Sequence, residues 1–256
     1  MHYLYGFILS VVIAGIAYKK RALQQSGFLA AIMIGTLLYG FANIQIYILL
    51  MAFFISSSLI TKIKKDIHES KGRKAVQVFA NASAALIFSF LYMKTLDHMY
   101  LVITAISIAA ANADTWASEI GRFSKKDNRS ILTFKKIQKG ESGGITLLGT
   151  IASLGGSFLI AGIYILLYSL TIDFHKGLLI NSFWIMIGGF LGSIIDSYLG
   201  IIIQEKYEHP KTKQKIEKDI ERDQFKLISG IKYVNNDIVN FISTLLVSSA
   251  FYLLLI

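Results

Sequence analysis

Apolar residues run along almost the whole chain in blocks separated by short polar segments. Eight blocks read as helices crossing a membrane, at roughly 3–18, 27–42, 44–61, 76–93, 98–118, 144–170, 180–203 and 235–256. A span needs about 20 mainly apolar residues, with a range near 17–25. The first two blocks are short, and the second is the weakest of the set. So many apolar blocks cannot all be buried in one water-soluble core. Lipid must solvate most of them, and a helix satisfies its own backbone there. The pattern predicts an all-α protein, a polytopic transmembrane helix bundle of about eight spans, as a single integral membrane domain over 1–256.

Composition agrees. Of 256 residues, 54% are hydrophobic and only 16% charged, against about 25% charged in an ordinary soluble domain. Disorder needs the opposite balance. The net charge of +10 suggests nucleic acid until its distribution is read. With the first span running outside to inside, the inner loops are 19–25, 62–75, 119–143 and 204–234. They hold three, six, seven and eight Lys/Arg, together 24 of the 26. Only Lys94 and Lys176 fall on the other side. This is the positive-inside pattern. It predicts eight spans in the cell membrane with both termini outside, gives the basic charge a source without nucleic acid, and makes lipid the standing partner. At the start of the chain the positive cluster follows the apolar run, the reverse of a cleavable signal. The mixed-charge stretch Lys211–Arg222, after the only proline, Pro210, reads as a solvated amphipathic helix near anionic headgroups.

Ionisable residues inside a span are expensive, about 2.5–3.5 kcal/mol at the centre on insertion scales. Asp114 and Asp196 are embedded in this way, and Glu119 lies at the inner end of the fifth span. At 100° per residue, Asn112, Asp114, Thr115, Ser118, Glu119 and Arg122 fall in one arc, opposite Ala113, Trp116, Ala117 and Ile120. In the seventh span Gly188, Gly192, Asp196, Gly200 and Gln204 stand four apart. Small residues so spaced let helices pack closely and would hold Asp196 against protein rather than lipid. Lys139, Gly140, Gly143 and Gly144 precede the sixth span, where free N–H groups at a helix start attract phosphate. A plain loop explains the glycines equally well, and no Gly-Lys-Ser/Thr follows to make a Walker A motif. Ser56, Ser57, Ser58, Thr61 and Lys62 close the third span, Gln77 and Asn81 open the fourth, and Asn235, Asn236, Asp237 and Asn240 open the eighth. Each cluster alone is compatible with ordinary capping or interhelical bonding. Jointly they all fall on the inner side, and the outer halves contain no carboxylate within a span.

Carboxylates, amides, hydroxyls, glycines and Lys/Arg together suit one chemistry. Carboxylates hold Mg²⁺, the cation holds phosphates, and N–H groups and Lys offset the remaining charge. Asp114 and Asp196 are the expected metal ligands. Glu119 is a further ligand or the group that orients the attacking oxygen. Lys139 is the expected electrostatic catalyst, and Lys62, Asn81, Thr115, Ser118, Gly143, Gly144, Asn236 and Asn240 are the expected substrate or nucleotide contacts. The chain has no Cys, and none of its five His lies in these segments, which disfavours zinc hydrolysis and Cys/His nucleophiles.

The segments SSSLITK (56–62), GRKAVQVFANAS (72–83), ADTWASEIG (113–121), GGITLLGTIASLGGS (143–157), GSIIDSYLGIIIQ (192–204) and VNNDIVN (234–240) resemble, in order, the motifs of the integral membrane family called domain of unknown function 92. That family includes vertebrate transmembrane protein 19 and the plant phytyl-phosphate kinase. The resemblance covers nearly the whole chain and implies an inner-membrane helical protein. By its plant member it implies transfer of a phosphoryl group from CTP or another nucleoside triphosphate to a prenyl monophosphate. Asp114, Glu119 and Asp196 match the family's acidic positions. Glu141-Ser142 depart from its Thr-Asn before the paired glycines and bring a negative charge toward the expected phosphate site. The competing reading is an ion-coupled transporter, since intramembrane carboxylates are also carrier features. A carrier needs access from both sides, and the outer halves lack polar stepping stones.

Overall fold

The computed structural model describes residues 2–64, 72–171, 175–210, 215–217 and 225–256. Among these residues there are eight helices: α1 (His2–Lys19), α2 (Gln25–Phe41), α3 (Ile44–Lys64), α4 (Ala75–Thr95), α5 (Met99–Gly121), α6 (Leu147–Ser169), α7 (Lys176–Ile202) and α8 (Asn236–Leu255). All eight expected blocks are helical. Six are long and apolar enough to cross a membrane by length and composition. The other two are the 17-residue α2 and α5, which is rich in Ala, Ser, Thr and Asn.

Local sequence sets the helix starts. Thr146 and Asn235 cap α6 and α8, their side chains accepting from the N–H groups of Gly149 and Ile238. The Asp97 carboxylate accepts from Met99 N at the start of α5, at 2.9 Å. Side-chain caps of this kind satisfy N–H groups that a helix leaves open in its first turn.

Helix α5 is the axis of the bundle. Every residue from Leu101 to Ala113 is buried, because α3, α4, α6, α7 and α8 all pack around it. This explains its small side chains: five neighbours can approach only a thin helix. Leu29, Phe158 and Leu253, on outward faces, stay 60%, 64% and 72% exposed, as lipid-facing residues do. The α7 glycines let it lie against α5. A Cβ on Gly192 would sit 2.4 Å from the Ala110 Cβ, and one on Gly189 2.7 Å from the Ala109 Cβ. Close backbone approach is the usual role of small residues in membrane bundles.

The connections carry two small sheets. β1 (Arg129–Ser130) pairs antiparallel with β2 (Gly144–Ile145). β3 (Lys206–Glu208) lies between β4 (Lys215–Ile216) and β5 (Lys226–Ser229), antiparallel to both. The second sheet corrects the amphipathic helix expected over Lys211–Arg222. Lys215 and Ile216 are strand, paired with Glu208 and Tyr207, and 211–214 and 218–222 lie outside the described residues. The pairing follows from burial: Lys206 and Tyr207 are 3% and 1% exposed, and a buried strand must satisfy its backbone with neighbours. The sixth span also begins later than expected. Gly143 has φ +78°, Gly144 is in β2, and the helix waits for the Thr146 cap.

Candidate functional site

At the end of the bundle that carries the long basic connections, α3 to α8 open into a polar cavity of about 560 Å³. Every residue nominated from the sequence lines it: Lys62 on α3, Asn81 on α4, Asp114, Thr115, Ser118 and Glu119 on α5, Lys139, Gly143 and Gly144 before α6, Asp196 on α7, and Asn236 and Asn240 on α8.

The carboxyl groups of Asp114 and Asp196 face each other across the α5–α7 contact, close enough to act on each other directly. Two anionic groups at this distance repel unless a proton or a cation lies between them. Asp196 has further support from α8. Ser243 Oγ donates to its Oδ2 at 2.9 Å. The Asn240 amide, oriented with its nitrogen toward Asp196, donates to the same oxygen at 3.1 Å. Ser243 was not among the sequence candidates, although it stands three residues after Asn240 on the same helix face.

Glu119 does not join this pair. It faces Arg122 at 3.8 Å and acts electrostatically on Arg73. Among the described residues no group of three or more His, Asp or Glu gathers around one point. The spacing explains this, since five residues on a helix turn a side chain by about 140°. Thr115 and Ser118 line the cavity with their hydroxyls donating to Ala111 and Thr115 carbonyls of their own helix. Asn112 is fully buried and acts as interhelical glue: its Nδ2 donates to Gly156 O at 2.7 Å and its Oδ1 accepts from Ser56 Oγ at 3.1 Å.

Arg73 is the main residue that sequence reasoning passed over, because it looked like one more inner-loop charge. Its guanidinium lies over the rings of Phe53 and Phe54, 5.9 and 5.5 Å from their centroids. It donates to Ser57 Oγ at 2.9 Å. Its backbone is bound to Ala22 and Gln24. Burial pulls its pKa down to about 10, partly offset by Glu119, so it stays protonated at neutral pH.

The glycine loop is held differently from expectation. Gly144 N–H already donates to Glu141 O at 3.1 Å, and Gly143 O accepts from Ile131 N. A Cβ on Gly143 would meet Ile201 Cγ1 at 1.9 Å, whereas one on Gly144 would meet Glu141 O at 2.9 Å, so Gly143 packs closely on α7 and Gly144 within the loop. The Gly144 N–H is thus already taken by the loop itself. Lys139 Nζ donates to Ser124 O at 3.2 Å beside the cavity.

The charge of Glu141 is neutralised on the spot. Its carboxylate pairs with Lys206 Nζ at 3.3 Å and Lys215 Nζ at 2.7 Å. Ser142 is held by Glu217, which accepts from both its N–H and its hydroxyl, and by the Gln204 amide at 2.7 Å. The β3–β4 sheet therefore acts as a clamp on the loop. Burial pushes the Glu141 carboxyl up, but the hydrogen bond from Lys215 and the charges of Lys206 and Lys215 outweigh it and hold it below its usual value. A depressed carboxylate stabilises the fold above its unfolded pKa, about 4.3, and that contribution is lost as pH falls through the lower folded value. Glu141→Gln should therefore destabilise the protein by roughly 3 kcal/mol at pH 7, near the low end for breaking a buried pair, because Glu217 remains 3.9 Å from Lys206. Thermal unfolding in detergent should show the difference at pH 7 and its disappearance toward pH 3. A pH-independent difference would contradict the ion-pair account.

The model of the family described as "Integral membrane protein DUF92" matches residues 8–248. The chain is 31% identical over 273 residues to "Protein PGR" of Arabidopsis thaliana, covering 96% of this chain and 93% of the relative. It is 31% identical over 206 residues to an uncharacterized membrane protein of Methanocaldococcus jannaschii, covering 78% and 83%. "Protein VTE6, chloroplastic" of Arabidopsis thaliana is 24% identical over 248 residues, covering 92% of this chain and 66% of the relative. No solved structure matches the chain.

Proposed function

The chain belongs to the integral membrane protein family DUF92, and from that premise we propose that it is a membrane-embedded phosphotransferase. It moves a phosphoryl group from a nucleoside triphosphate, CTP or ATP, to a prenyl monophosphate at the cytoplasmic face of the cell membrane. The observation that carries this reading is the contacting Asp114–Asp196 pair in a one-sided polar cavity that also holds Lys62, Arg73 and Lys139. The likeness to the phytyl-phosphate kinase family supports it.

The donor set suits Mg²⁺, which takes one or two carboxylates, several waters and substrate phosphates, and needs no all-protein cage. Asp114 and Asp196 would be its ligands, with Ser243 and Asn240 fixing Asp196. When bound, the cation draws charge from the nucleotide phosphates. The chain's own residues do the rest. Lys139 offsets charge on the transferred group, Asn236 offers its amide to the nucleotide, and Glu119 orients Arg73. An oxygen of the lipid phosphate attacks the γ-phosphorus. One P–O bond forms, the bond to the β,γ-bridging oxygen breaks, and its electron pair leaves with the nucleoside diphosphate. A phosphate monoester has its second pKa near 6 and is mostly dianionic at neutral pH. No strong general base is needed, and positioning with charge neutralisation dominates.

The test is incubation of purified protein with Mg²⁺, labelled CTP or ATP, and a panel of prenyl alcohols and prenyl monophosphates. Labelled prenyl diphosphate is the expected product. Absence of label in every lipid would refute the reading. The orientation has its own test. The natural absence of Cys permits single-Cys labelling, and a Cys at Lys126 should resist an impermeant reagent in intact cells while reacting after lysis. Labelling in intact cells would reverse the proposed topology.

A further inference from the structure

The polar cavity has an apolar neighbour. A second cavity, of about 60 Å³, lies between α1, α2, α3 and α4, walled by side chains such as Ile13, Ala31, Ile34, Leu50 and Ala82. The two cavities share one wall: Arg73, Gln77 and Asn81 line both. The polar pair on the apolar side, Ser10 and Tyr47, is mutually hydrogen-bonded at 3.3 Å, so that cavity offers its occupant an apolar lining. At the shared wall the guanidinium carries five donors, and Ser57 takes one. A fork with free donors matches a phosphate bidentately. The wall thus joins an anion receptor to an apolar recess, which is the pattern of an amphiphile with a phosphate head.

The surrounding packing leaves such a molecule a way in. Ala14, Ala17 and Leu23 form a small cluster apart from the main core. Helix α1 therefore leans on the bundle from outside, whereas α2 contributes Ile34 and Leu38 to the main core. The recess is less than half of the ~150 Å³ cavity known to hold a benzene ring. It has room for the first carbons of a chain, and the remainder would leave between helices into lipid.

Resting on the phosphotransferase reading, we propose that the prenyl monophosphate binds across this shared wall. Its phosphate is held by Arg73 in the polar cavity, and the head-proximal end of its chain lies in the apolar recess between α1, α2, α3 and α4. The Lys139 side is left to the nucleotide. The acceptor phosphate then approaches from the α3–α4 side, across from the nucleotide, as an in-line displacement needs.

The experiment uses full-length protein in phospholipid nanodiscs and a prenyl monophosphate bearing a diazirine on its first isoprene unit. Crosslinks should map to Ile13, Ile34 or Leu50 and be competed by the unmodified monophosphate but not by the alcohol. Arg73→Gln and the filling variant Ala82→Phe should each lower competable labelling at least tenfold, with Arg73→Lys intermediate. Ala31→Phe fills the recess from the opposite wall if Ala82→Phe does not fold. Competable labelling that falls on α5–α8, or that survives the filling variants, overturns this site and leaves the phosphotransferase reading standing. Competable labelling nowhere overturns the lipid-phosphate substrate itself.

Discussion

Asp114→Asn and Asp196→Asn should each lower Mg²⁺-dependent phosphoryl transfer by about 10³-fold or more, the scale on which removal of one electrostatic stabiliser acts in a water-poor site. Both replacements keep size and hydrogen-bonding capacity and remove charge. Each would leave one carboxylate where two now meet, so Mg²⁺ would lose one of the two side chains proposed to hold it. Neither should unfold the protein, because the contact between like groups is a source of repulsion without a cation. Ser243→Ala acts one step removed, through the 2.9 Å bond to Asp196, and should cost only about 10–100-fold, as supporting partners of metal ligands do. Initial rates at saturating Mg²⁺, with detergent melting curves as the control for folding, check the series. Near-wild-type rates in both Asp variants would remove the carboxylate pair from the mechanism.

The second large effect lies outside the cavity. Gly192→Val puts a branched side chain where a Cβ alone would be 2.4 Å from the Ala110 Cβ and 3.1 Å from the Val247 Cγ1. Neither helix can yield by rotating a side chain, because the obstacle on α5 is a Cβ attached directly to its backbone. Helices α5 and α7 must separate, and the contact between Asp114 and Asp196, one helical turn further along, separates with them. Overpacking of this kind costs about 1–3 kcal/mol. The activity loss should approach that of the Asp variants although no ligand has changed. Ala110→Gly added to Gly192→Val should restore much of both stability and rate. No gain from the second substitution would mean that the helix spacing does not set the site.

The helices were legible because apolar blocks of near-span length are separated by short polar segments, although the Thr146 cap that delays α6 was not read. The gathering of the site was legible for a different reason. Once the basic loops fix which helix ends share a side, Lys62, Asn81, Asp114, Asp196 and Asn240 must fall at one end of the bundle. What hid was whatever depends on the path between helices. The β3–β4 pairing sets Tyr207 opposite Ile216 within one highly charged connection, and it brings Lys206 to Glu141, 65 residues away, with no periodicity to reveal either. For the same reason the charge of Glu141 looked like a defect in a phosphate loop until its two lysines were seen. Glu119 shares a broad helical arc with Asp114, but an arc of 160° is too wide to guarantee one shared ligand point. Arg73 carried no signal beyond its sign, and only the stacking on Phe53 and Phe54 separates it from the other residues of the basic loops.

The most direct test of the central claim sets phosphoryl transfer against ion movement in one preparation. Proteoliposomes containing a prenyl monophosphate receive Mg²⁺ and γ-labelled CTP or ATP on the outside while an enclosed dye reports proton or sodium flux. The account predicts label in prenyl diphosphate from the molecules whose cavity faces outward, abolished by Asp114→Asn, with no flux above empty liposomes. Flux that depends on Asp114 and Asp196, with no labelled lipid, would contradict it and make the protein a carrier.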